Sequence, residues 1–106
     1  MDVVFAYVTA GSVEEAQRLA QAIVSERLAA CANMLPGMRS LYWWQGEMGE
    51  AEETIVVFKT RSDRFDALAA RVKELHSYDC PCVVALPVTA GLPAYLGWIA
   101  SESAAR

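Results

Sequence analysis

The sequence predicts an α+β fold, a ferredoxin-like βαββαβ sandwich with an extra C-terminal helix. Three observations lead there. Two stretches with apolar residues at helical spacing alternate with short β-branched runs, in the order β-α-β-β-α-β. The middle two strands are separated by a glycine-bearing polar turn and not by a helix, which makes them a hairpin. Two split βαβ units of right-handed crossover then give one antiparallel sheet with its helices on one face.

The first strand spans about 3–9, Val3-Val4-Phe5-Ala6-Tyr7-Val8-Thr9, and ends before Gly11. It is nearly all apolar and reads as a central strand buried on both faces. Ser12 stands three residues before Glu15, a capping box. Behind it Ala16, Leu19, Ala20, Ile23 and Leu28 mark the apolar face of a helix over about 13–27. A second extended stretch starts near Ala30, passes Pro36-Gly37 and continues to Gln45. Gly46 and Gly49 bracket a polar turn, and a third strand runs from about Glu53 to Thr60. Ser62 or Asp63 caps a second helix with the stripe Phe65, Leu68, Ala69, Val72 and Leu75, which Pro81 brings to a stop. A fourth strand covers 83–88. Pro93 suits the first turn of a third helix over about 93–103.

Residues 1–106 make one domain, with no internal repeat and no linker. The chain is 55% hydrophobic, more than a domain of this size can bury by itself. Strands 1, 3 and 4 do not alternate cleanly with polar residues, so the sheet face away from the helices needs a cover. Tyr42, Trp43 and Trp44 on successive strand positions put aromatic rings on both sides of the hairpin. These features predict an obligate oligomer.

The net charge is −4 and the nine Lys and Arg are scattered, which argues against nucleic acid and anionic membrane as partners. No apolar run approaches the ~20 residues of a membrane span. The chain begins Met1-Asp2 without a basic n-region, and its three cysteines follow no disulfide-framework spacing, so a cytoplasmic location is expected.

For chemistry, the candidate metal ligands are His76, Cys80 and Cys82. Residues two apart in an extended segment point the same way, so both thiols of Cys80-Pro81-Cys82 can face one ion, with His76 just upstream. Thiolates with an imidazole suit copper or zinc. The plainer alternative makes Cys82 a small buried strand residue, Cys80 a surface thiol and His76 a helix-end residue. Cys31, among alanines, reads as a buried small hydrophobe or as a further ligand. Tyr42, Trp43, Trp44, Tyr78, Tyr95 and Trp98 read as core and interface, or as walls of a pocket between subunits with Lys59 and Glu53 as its polar groups. Glu50, Glu52 and Glu53 read as a solvated turn. There is one histidine, and no nucleophile elbow, P-loop or zinc-protease motif occurs, so neither enzymatic activity nor an organic cofactor is expected.

Several blocks also carry a family likeness: Glu26-Arg27-Leu28-Ala29-Ala30-Cys31-Ala32-Asn33, Ser40-Leu41-Tyr42-Trp43-Trp44-Gln45-Gly46, Lys59-Thr60, His76-Ser77-Tyr78-Asp79-Cys80-Pro81, Leu86-Pro87-Val88 and Tyr95-Leu96-Gly97-Trp98-Ile99. In this order, and over nearly the whole chain, they resemble CutA, the divalent-cation tolerance family. The resemblance implies a homotrimer whose long β-hairpins pack against neighbouring subunits, and a part in tolerance to divalent metal ions, copper above all. It implies a copper-associated histidine at His76. The first-strand cysteine that some members of the family carry is matched here by Val8, and the family's usual glutamate after the proline by Cys82. The alternative is a trimeric protein of similar architecture that senses a nucleotide or another small ligand.

Overall fold

The computed structural model describes residues 2–106, and the sheet it shows has the order β2-β3-β1-β4, antiparallel throughout. The strands are β1 (Val3–Ala10), β2 (Cys31–Trp44), β3 (Glu47–Arg61) and β4 (Val83–Pro87), and the helices are α1 (Val13–Ser25), α2 (Phe65–Leu75) and α3 (Pro93–Glu102). The ferredoxin-like arrangement expected from the element order is therefore present.

The side-chain parity of β1 divides the sheet into two faces. Val4, Ala6, Val8 and Ala10 pair across to Thr60, Phe58, Val56 and Thr54, and all eight are buried. The α1 side chains of Leu19 and Ile23 and the α2 side chains of Leu68 and Val72 close over this face to form the core. Phe5 and Tyr7 point the other way and are only half-buried, between buried Val3 and Thr9, so the expectation that β1 is covered on both faces is met fully on one face and in part on the other. On that second face, α3 covers one end. Its buried Ile99 packs there, and Ser103 Oγ accepts the Arg61 N–H at 3.1 Å. The rest of the face, including Val84, Leu86 and Leu35, is open.

Element ends correct the sequence reading in three places. Helix α1 stops at Ser25, not 27. Arg27 takes a left-handed φ of 63°, its N–H reaches Val24 O, and the Leu28 N–H reaches Ile23 O, a Schellman ending built on arginine instead of glycine. Ser62 and Asp63 do not cap α2. They lie in a 3₁₀ turn (Ser62–Arg64), and the Asp63 carboxylate instead takes the Arg61 guanidinium at 2.7 and 2.9 Å.

The third correction is the largest. The hairpin turn is only Gln45-Gly46, with φ of 51° and 81°, the paired left-handed residues of a type I′ turn. Strand β3 therefore begins at Glu47, and the pairing runs Trp44↔Glu47, Tyr42↔Gly49, Ser40↔Ala51 and Met38↔Glu53. A bulge between Leu35 and Met38 takes up Pro36 and Gly37. The two long strands project beyond the core, and the chain measures 44 × 25 × 22 Å.

Candidate functional site

Four chain segments meet where the hairpin leaves the core. The first is the β1–α1 junction. Ser12 caps α1 by accepting the Glu15 N–H at 3.1 Å, as the sequence indicates. The reciprocal arm of the box differs: Glu15 Oε1 accepts from Gly11 N at 3.0 Å, and Oε2 accepts from Ser77 N at 2.8 Å. Glu15 thus ties the start of α1 to the segment after α2. Burial pushes its carboxyl up, but the Gly11 and Ser77 donors outweigh that and hold it below the ordinary value.

The second segment is 76–82. The His76 side chain is fully buried, with Nε2 2.7 Å from Thr9 O and Nδ1 accepting the Tyr78 N–H at 3.0 Å. Because Nδ1 accepts, the ring proton sits on Nε2 and is donated to Thr9. Both nitrogens are thereby committed to the backbone, and the ring lies 4.6 Å, centroid to centroid, from that of Tyr78.

Tyr78 then leads to the third and fourth segments, the two hairpin strands. Its hydroxyl donates to Glu53 Oε2 at 2.8 Å, and Ser40 Oγ donates to Glu53 Oε1 at 2.7 Å. Burial first, and then the bond to the Glu53 carboxylate, push the Tyr78 hydroxyl up to about 12, so it stays protonated and donating at neutral pH. Glu53 is only 8% exposed. It is not part of a solvated turn, because the turn ends at Gly46. Glu50 and Glu52 are exposed on the strand, and Glu50 pairs with Arg39.

These segments wall a cleft of about 630 Å³ on the open side of the sheet. Tyr42, Trp43, Trp44 and Tyr78 line it beside Glu53, and so do Cys80 and Cys82. Tyr42 is held across the strand pair: its ring lies where a Cβ on Gly49 would be, within 2.8 Å. Cys80 and Cys82 are both free and exposed, so the alternative that buries Cys82 in the strand does not hold. The cleft walls, and then the Glu53 carboxylate, push the Cys82 thiol up.

Of the residues singled out in the sequence, Cys80, Cys82 and Glu53 come together in this cleft, and His76 sits behind it facing Thr9. Lys59 is elsewhere. Its Nζ donates to Tyr95 Oη at 3.0 Å and lies 5.3 Å from the ring centroids of both Phe5 and Tyr95, at the α3 end of the sheet. Tyr95 and Trp98 stack on each other there, and Cys31, opposite Lys59 on β2, is also outside the cleft. Among the described residues no three His, Cys, Asp or Glu side chains gather closely enough to hold a metal ion. A closed four-ligand zinc site is therefore not built by the described residues of the protomer; the thiols that line the cleft are those of Cys80 and Cys82. The residues that sequence reasoning missed are Glu15, Ser40 and Thr9. The capping box did mark Glu15, but its second bond, to Ser77, depends on tertiary packing.

Comparison with known proteins gives matches over nearly the whole chain. The CutA1 divalent ion tolerance protein family profile matches residues 4–102. The chain is 43% identical over 95 residues to the divalent-cation tolerance protein CutA of Archaeoglobus fulgidus, covering 90% of this chain and 92% of that one. It is 47% identical over 92 residues to the protein of the same description from Thermus thermophilus, covering 87% and 89%. The crystal structure of CutA1 from Oryza sativa superposes with a TM-score of 0.93 at 42% identity, over 96% of this chain and 94% of that one.

Proposed function

The chain belongs to the CutA1 divalent ion tolerance family, and from that premise we propose a non-enzymatic homotrimer, held in a reducing cytoplasm, that binds a soft metal ion, copper(I) first, through Cys80 and Cys82. The observation that carries this reading is the arrival of both free thiols at one cleft. Two thiolates are a sufficient set for copper(I), which accepts low coordination and soft ligands. His76 contributes by position. It holds Tyr78 N–H and Thr9 O, and so sets the path of the segment that presents the cysteines. To ligate an ion through Nδ1 it must give up the Tyr78 N–H, while its Nε2–H can keep the bond to Thr9 O.

Each thiol loses its proton when it takes the metal, and Cys82 starts with a raised pKa, so affinity falls as pH drops. The test is copper(I) titration of reduced protein against a competing chelator. Cys80→Ser and Cys82→Ser should each weaken binding at least about tenfold, since one thiolate of two is lost. His76→Ala should keep two thiols per ion. Wild-type affinity in both cysteine variants overturns the site and moves attention to Cys31 or to ligands shared between subunits.

A further inference from the structure

We draw no further inference here: the strongest candidate, the buried side-chain cluster of Glu15 and His76 behind the cleft, with Nδ1 3.7 Å from Oε2, belongs to the site already described, since both side chains hold the 76–82 segment that carries Cys80 and Cys82.

Discussion

Two glutamates carry most of the polar structure around the cleft, and they do different things. Glu53 holds the hairpin strands to Tyr78, whereas Glu15 fastens the α1 start to Ser77. Glu15 has a measurable signature in acid. Its folded pKa is depressed, so the stability it contributes is present above the unfolded carboxylate value, ~4.3, and is lost as pH falls through the lower folded value. Glu15→Gln should cost stability at neutral pH, about 1–3 kcal/mol for the weakened hold on two backbone donors. The gap between wild type and variant in urea midpoints should then close as pH drops below ~4. A gap that stays constant from pH 7 into acid would remove the carboxylate charge from the explanation. At this scale the sequence was only partly legible. The Ser12–Glu15 spacing revealed a cap, but Glu53 looked like a member of an acidic turn with Glu50 and Glu52. Its parity with Ile55 and Val57, on the same face of the strand, was the available signal.

Among the elements, the hairpin is where sequence patterning and structure part. β1, α1 and α2 were readable because each has an apolar face against the core, and β4 and α3 because apolar runs bounded by Pro81, Gly91 and Pro93 mark them. The distal half of the hairpin projects past that core and has no such face, so Glu47, Gly49, Glu50 and Glu52 looked like a loop. Gly49 is there because Tyr42 lies over it. Gly46 is there because the turn needs its φ of 81°. A Cβ at Gly46 would meet nothing within 4 Å, so Gly46→Ala isolates the backbone cost, about 1–2 kcal/mol for a left-handed alanine. It should appear as faster amide hydrogen exchange through the Trp43↔Met48 pair, with the β1–β3 pairing unaffected. Unchanged exchange at the tip would mean that contacts from outside the protomer hold the hairpin closed.

For the whole molecule, the question is what covers the open face of the sheet. Its apolar residues follow the parity of Phe5 and Tyr7 across Val57, Val84 and Leu86, and α3 covers only one end. At the hairpin Trp43 is 75% exposed, and Leu41 and Met48 are also exposed. Both sheet edges, β2 and β4, have one side without a strand partner in the protomer. Unpaired edges and contiguous apolar surface at both ends of one sheet are a liability in a lone chain and are removed together by association. The trimer proposed above would supply edge and face partners in a closed assembly. Mass measurement in solution at low micromolar concentration should therefore give three chains, and the melting temperature should rise with protein concentration. Val84→Asp with Leu86→Asp puts two charges on the open face and leaves the helix-side core of Phe58, Leu19, Ile23 and Leu68 untouched. That variant should run as a folded monomer with lower thermal stability, because charges buried at an interface without partners oppose assembly more than folding. Leu68→Ala should do the reverse, costing about 2–5 kcal/mol in the protomer core while leaving the stoichiometry at three. A monodisperse wild-type monomer would refute association outright. A dimer would refute three-fold closure while leaving the burial of the open face as its cause.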